Sequence, residues 1–254
     1  MNSHDILTSG QKAIYEWQIA VPGFGESGQK KISHSSALVS RVGGLGGLVA
    51  YELAAAGIGK LVLYHAGKVR ESDLNRQLLM TRDWVGKPRI ESIERRLLEL
   101  NPDLEISAMG KNISEDNVAD AVSQADVVVC AAPLFSERFA MNNEAVRQKK
   151  PLVDCAMYEL EAQIMSVDPG RSACLRCLYP EDPAGWKRQF PVFGAVSGAI
   201  GCIGAMEAIK IIAGLGAPLY GTMLRINMAD MTTQRISVRR NKRCTVCGEN
   251  ALSS

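Results

Sequence analysis

Short apolar runs alternate with longer amphipathic stretches along this chain of 254 residues. Residues 37–42 predict a short buried strand, residues 60–64 a second strand, residues 125–130 and 151–155 apolar strands, and residues 104–109 are a strand candidate. Between them lie stretches of helical character. Residues 48–57 are alanine-rich and end in Gly57. In residues 88–100, Ile90, Ile93, Leu97 and Leu98 recur at helical spacing with charges opposite. Ser114, Glu115 and Asp116 suit the opening of a helix, and residues 136–149 read as another. Upstream, residues 11–19 predict a helix, then a turn at Pro22, Gly23 and Gly25, then a second helix from Gly28. Downstream, residues 161–167 predict an antiparallel strand and residues 224–238 the final strands. Residues 192–212 carry no charge before Glu207 and contain Gly194, Gly198, Gly201 and Gly204. That glycine content predicts a helix buried in protein rather than a membrane span.

The alternation predicts an α/β fold with a mostly parallel, Rossmann-like sheet. The expected organisation is a single domain over 1–254: a helical segment 1–36, a core 37–167 and a C-terminal half 168–254. The first predicted strand runs into Gly43, Gly44 and Gly46 and then into a helix. Glycines there let backbone approach a phosphate, and the helix N-terminus supplies N–H donors at the positive end of its dipole.

Bulk properties narrow the classes. The net charge of +2 favours neither nucleic acid nor an anionic membrane. The N-terminus lacks the basic and apolar regions of a signal peptide, so a cytosolic (cytoplasmic) protein is expected. Seven cysteines then suggest thiols and metal rather than disulfides. Cys174-Leu175-Arg176-Cys177 and Cys244-Thr245-Val246-Cys247 are two CxxC knuckles. Four thiolates make a closed tetrahedral Zn²⁺ site, and here it would clamp the C-terminal tail to the domain. Neither pair sits where redox CxxC motifs do, at a helix start after a strand. Cys130, Cys155 and Cys202 lie in apolar runs and read as buried small hydrophobes.

These motifs together resemble the MoeB/ThiF/HesA branch of the E1-like superfamily, which adenylates the C-terminal glycine of ubiquitin-like carrier proteins. Tyr15-Glu16-Trp17-Gln18 is similar to its N-terminal element, and Val42-Gly43-Gly44-Leu45-Gly46 to its glycine loop. Asp73-Leu74-Asn75-Arg76-Gln77 resembles its Asn-Leu-x-Arg-Gln signature. Val85-Gly86-Lys87-Pro88-Arg89 is similar to the element bearing its active-site lysine. The two cysteine knuckles and Ala205-Met206-Glu207-Ala208-Ile209-Lys210 match as well. The resemblance implies a carrier-protein partner and a homodimer, or a heterodimer with an E1-like relative.

The chemistry departs from the family pattern. Its ribose-binding acid falls at His65 and a nearby acid at Gly67; its Mg²⁺-holding aspartate falls at Pro133. Its lysine falls at Arg89, its first loop glycine at Arg41, and the arginine reaching the partner's nucleotide at Trp17. Asn75, Arg76, Gly43, Gly44 and Gly46 are retained, and no cysteine lies between Leu178 and Phe190 for a thioester step. The resemblance thus implies nucleotide contacts from Arg41, Gly43, Gly44, Gly46, His65, Asn75, Arg76 and Arg89, with Arg76 and Arg89 as catalytic candidates. Arg41 has three open readings: a phosphate contact, a side chain that fills the pocket and excludes nucleotide, or a surface arginine. Asp73 and Asp154 are the carboxylates nominated near the phosphates. Trp17 reads as a packing residue at a helix interface, and His65 as a ribose contact or an ordinary polar loop residue. Trp186-Lys187-Arg188-Gln189 reads either as an anchor for a carrier tail or as an ordinary charged loop. The expected function is a carrier-binding E1-like protein with a degenerate site and weak ATP/Mg²⁺ use, acting with an active partner. Two alternatives stand: an active adenylyltransferase with a rebuilt site, and a zinc-stabilised scaffold without a carrier.

Overall fold

A computed structural model describes residues 7–185 and 190–249. The anchor expected at residues 186–189 lies outside the described residues. One eight-stranded sheet runs through the molecule in the order β3-β2-β1-β4-β5-β6-β7-β8. Strands β1 (Ser36–Ser40), β2 (Lys60–Tyr64), β3 (Glu105–Met109), β4 (Val127–Cys130) and β5 (Leu152–Tyr158) are parallel. Strands β6 (Glu161–Val167), β7 (Thr222–Asn227) and β8 (Thr232–Ser237) continue the sheet antiparallel. The central strands are buried along their length, as both-face burial requires of apolar runs.

Two cores flank the sheet. On one face, α4 (Gly44–Ala55), α5 (Arg89–Leu100) and α9 (Gly194–Ala213) cover Val39, Leu61, Leu63 and Ile164. On the other, α6 (Val118–Ser123), α7 (Phe135–Arg147) and the four-residue α8 (Leu175–Leu178) cover Leu38, Val62, Val128 and Met165. Helix α9 is long and apolar enough to cross a membrane by length and composition. It packs instead on α4 and the sheet, burying Val196, Ile200, Gly201, Gly204, Ala205 and Ala208.

Several local expectations shift. The helix expected at 11–19 breaks at Tyr15 into α1 (Ser9–Ile14) and α2 (Glu16–Ile19), and Tyr15 packs beside Gly57. The following helix, α3 (Gly25–Ser33), starts earlier than Gly28. The glycine loop is itself the first turn of α4, with Gly43 as N-cap. A Cβ on Gly46 would lie 2.6 Å from the Arg41 carbonyl oxygen, so the turn admits only glycine there. Ser114–Asn117 form a turn ahead of α6 rather than its first turn. Trp17 is 85% exposed, not packed at an interface within this chain. Cys202 is exposed on α9, whereas Cys130 and Cys155 are buried.

Candidate active site and metal centre

The strand order reverses direction at β1, whose neighbours are β2 and β4. Such a switch point opens a crevice at the carboxyl ends of the strands. A cavity of about 480 Å³ lies there, lined by Arg41 and Gly43 after β1, His65 after β2, and Ala131 and Pro133 after β4. Asp73, Arg76, Gln77 and Arg89 close one side, and Phe190 and Val192 another. Gly43 caps α4 without any side-chain hydrogen bond, which leaves the helix's positive end for the cavity.

Arg41 adopts φ 55°, a left-handed conformation that costs a side-chain-bearing residue roughly 1–2 kcal/mol. Its backbone N–H donates to the Tyr64 carbonyl at 2.8 Å. Its guanidinium folds back on Glu137 of α7, donating from Nε at 2.7 Å and from Nη2 at 2.5 Å. Both partners are buried. Arg41 therefore forms a wall of the cavity, with its charge matched by Glu137.

Asp73 is the one carboxylate among the described residues lining the cavity. Its Oδ2 accepts from Arg89 Nη2 at 2.6 Å and Nε at 3.1 Å and from the Arg70 N–H at 2.9 Å, while its Oδ1 accepts from Gln77 Nε2 at 2.8 Å and lies 3.7 Å from Arg76 Nη2. Arg89 also donates to the Ala66 carbonyl at 3.3 Å. Asp154 does not line the cavity; it is buried and held by Arg138 at 2.6 and 3.1 Å. Both nominated acids are thus neutralised by buried, two-point arginine pairs. Arg76 is partly exposed and donates to the Ser72 carbonyl at 2.6 Å and Asn75 Oδ1 at 3.0 Å.

His65 is 5% exposed and no ordinary surface-loop residue. Burial, then the charges of Arg89 and Arg41, lower its pKa to about 3. The ring is therefore neutral at pH 7. It hydrogen-bonds the Val42 backbone, while its Nδ1 has no partner. Gln77, 7% exposed, likewise leaves Oε1 without a partner. Both side chains stand beside Gly43, His65 Cε1 at 3.4 Å and Gln77 Oε1 at 3.6 Å from where a Cβ would be. Glu137, Gln77 and Arg138 received no role from sequence reasoning. The sequence signal at this site is an arginine at a glycine position; it does not identify Glu137, which is needed because an unpaired buried charge is costly.

The four knuckle cysteines converge, although the two pairs are distant in sequence. Their sulfurs all lie within 4.8 Å of one another, with Cys174–Cys244 at 3.7 Å and Cys177–Cys247 at 3.4 Å. Tetrahedral metal–sulfur bonds of about 2.3 Å imply sulfur separations of about 3.8 Å, so the cluster fits a metal ion. The Asn241 N–H donates to Cys177 Sγ at 3.3 Å. Tyr179, just after the first knuckle, stacks edge-on against Phe135 of α7 at 5.0 Å and accepts from Gln163 Nε2 at 2.7 Å.

A glycine-capped switch-point cavity on a parallel sheet, joined to a four-cysteine clamp, defines a ThiF-type α/β protein. Sequence comparison agrees: residues 15–246 match the ThiF family. The chain belongs to that family, in the E1-like ThiF/MoeB/HesA branch. It is 42% identical over 245 residues to the vegetative HesA protein of Trichormus variabilis, covering 96% of this chain and 92% of the relative. It is 33% identical to the sulfur carrier protein adenylyltransferase of Thermus thermophilus, covering 92% and 90%. Among solved structures, MccB of E. coli with MccA-N7isoASN superposes with a TM-score of 0.84 at 23% identity, covering 98% of this chain and 77% of that one. That likeness concerns the fold.

Proposed function

We propose that this protein binds the C-terminal tail of a ubiquitin-like or sulfur-carrier protein at the switch-point cavity, and adenylates it weakly or not at all on its own. The relative from Thermus thermophilus is named for acting on a sulfur carrier. A tail carboxylate suits a cavity walled by Arg41, Arg76 and Arg89. The observation that carries the weak-adenylation reading is the state of the acids. Asp73, the lining carboxylate, is consumed by Arg89 and Gln77, and Pro133 has no side-chain ligand to offer. Mg²⁺ is held by carboxylates and phosphates, and its positioning is worth several kcal/mol of transition-state stabilisation. In this reading Arg41, Gly43, Gly44, Gly46, His65, Asn75, Arg76 and Arg89 contact ligand. Activation proper is supplied by an E1-like partner. The cysteine cluster holds one structural Zn²⁺ through Cys174, Cys177, Cys244 and Cys247, the donor set that favours zinc.

A second reading is an adenylyltransferase with a rebuilt site, favoured by the partnerless His65 Nδ1 and Gln77 Oε1, which suit a ribose. Carrier-dependent exchange of labelled pyrophosphate into ATP decides. The expected result is no exchange above background with any small carrier ending in Gly-Gly, together with carrier binding by calorimetry. Robust exchange by the purified chain would establish the second reading instead.

A further inference from the structure

The end of the sheet opposite the switch-point cavity carries a charge imbalance that the rest of the chain lacks. Residues 239–249 hold four of the 29 Lys and Arg side chains and one of the 27 Asp and Glu; without them the chain carries one net negative charge. The four cations, Arg239, Arg240, Lys242 and Arg243, follow β8 and lead into the second knuckle. Lys242 pairs with Glu249 at 3.2 Å, whereas Arg239 and Arg243 are exposed and have no acidic partner among the described residues. Beside this loop is a second cavity, of about 240 Å³, whose lining includes Asp168, Arg171, Ser172, Tyr220 and Arg240. Val167 of β6 pairs with Leu152 at the start of β5, Met165 with Met223 of β7, and Thr222 with Ser237 of β8. The cavity therefore sits at the amino end of the parallel strands. Arg240 is pinned to the clamp: its Nε donates to the Cys247 carbonyl at 3.0 Å and its Nη2 to the same oxygen. The Arg171 side chain is 86% exposed, and its Nη1 lies 3.9 Å from Asp168 Oδ2, too far for a hydrogen bond. Ser172 Oγ accepts from the Asp168 N–H at 2.7 Å and fixes the turn between them. Burial, then Asp168 and Glu207, push the Tyr220 pKa up to about 12, so its hydroxyl stays a donor at pH 7.

From this juxtaposition we infer that the clamp loop and its cavity dock a short acidic segment of a partner protein, one carboxylate seated between Arg171 and Arg240 and the flanking acids on Arg239 and Arg243. The basic stretch 239–243 spans at most about 18 Å when extended, so it matches a short run of acids. A nucleic acid would run past it onto a chain of net negative charge, and residues 239–249 offer no aromatic ring on which a base could stack. In the cavity two guanidiniums face one carboxylate, Asp168. That surplus of one positive charge matches a carboxylate and falls short of a phosphate dianion. Asp168 thereby limits affinity, so removing its charge strengthens binding, the opposite of what loss of a structural residue does. The surface is remote from the switch-point cavity, and the inference does not rest on the carrier reading.

Fluorescence anisotropy on the full chain, purified without chelator and held at about 0.15 M salt, tests it with three labelled probes. These are a peptide of alternating Glu and Ser, the same peptide with Gln for Glu, and a single-stranded RNA of similar length. The Glu peptide is expected to bind at least tenfold more tightly than the Gln peptide and more tightly than the RNA. Arg239→Glu with Arg243→Glu is expected to weaken it at least tenfold, and Arg171→Glu at least threefold. Asp168→Asn is expected to tighten it at least twofold. Lys111→Glu, an equal charge reversal at an exposed residue elsewhere, is expected to change it less than twofold. No binding of the Glu peptide, equal binding of the Gln peptide, tighter binding of the RNA, an effect of Lys111→Glu as large as that of the loop reversals, or no gain from Asp168→Asn overturns the inference. Carrier-dependent exchange, measured separately, bears only on the carrier reading.

Discussion

At His65 a single buried ring carries a measurable cost of folding in acid. A histidine in the unfolded chain titrates near 6.5, whereas burial and the charges of Arg89 and Arg41 hold the folded ring down to about 3. Between those values the unfolded state binds the extra proton, so stability declines as pH falls below about 6.5 and this component levels off only near 3. His65→Asn removes that component. Between pH 7 and pH 5, denaturant unfolding of the natural protein is expected to lose roughly 2 kcal/mol more than the variant does. Equal losses would show that His65 titrates normally. Ligand contacts through a ring that stays neutral are correspondingly flat between pH 5 and 8. The neighbouring pair is legible only in part: Arg41 is visible as an oddity at a glycine position, but Glu137 is 96 residues away in sequence and identified by nothing except proximity.

At the scale of elements, α9 against α4 and the cysteine clamp are the sensitive joints. A Cβ on Gly201 would lie 2.7 Å from the Leu45 carbonyl oxygen and 2.8 Å from Leu48 Cβ, both on α4. Gly201→Ala is therefore expected to destabilise by about 1–3 kcal/mol, as overpacking does. Gly198, in the same helix, meets nothing within 4 Å. There alanine is expected to stabilise by up to about 1 kcal/mol through helix propensity. Thermal denaturation of the two variants should shift in opposite directions; shifts of the same sign would refute the packing account. The clamp joins α8 to the tail beyond β8 through sulfurs that converge from both. Protein purified without chelator is expected to hold about one zinc per chain. Cys244→Ser is expected to lose it together with roughly 4 kcal/mol or more of stability, a loss of the class seen when a metal site is removed. An unchanged melting temperature in that variant, or no zinc by elemental analysis, would remove the metal from the account.

For the whole molecule, large apolar side chains are exposed on helices and the segments beside them: Ile14 and Trp17 on α1 and α2, Leu78, Phe193 just before α9, and Met206 within it. Apolar surface of this kind marks association. The protein is expected to run as a dimer, or with an E1-like partner, by light scattering at micromolar concentration. Trp17→Glu is expected to weaken that association at least tenfold while leaving the thermal transition of the isolated chain in place. A monodisperse monomer with no co-purifying partner would count against it.

Much of this architecture was determined by the sequence by itself. The apolar runs placed the central strands β1, β4 and β5, because a strand buried on both faces must be largely apolar, whereas β3 lies at the sheet edge and is only half-buried. The CxxC spacing announced the four-cysteine cluster, because each knuckle brings two thiols to one side of a turn. The glycines of the loop announced a backbone approach to a phosphate; at Gly46 the folded chain uses the missing Cβ for its own turn, against the Arg41 carbonyl oxygen. The break at Tyr15 and the helical character of the glycine loop were decided by tertiary packing and capping that propensity does not register. So were the fates of the charged residues. Whether Arg41 fills, lines or leaves the cavity, whether Asp73 and Asp154 remain open to metal, and whether His65 is wet or dry depend on partners brought from other strands and helices. Those pairings are long-range, between single residues, and free of any period, so only the folded chain expresses them.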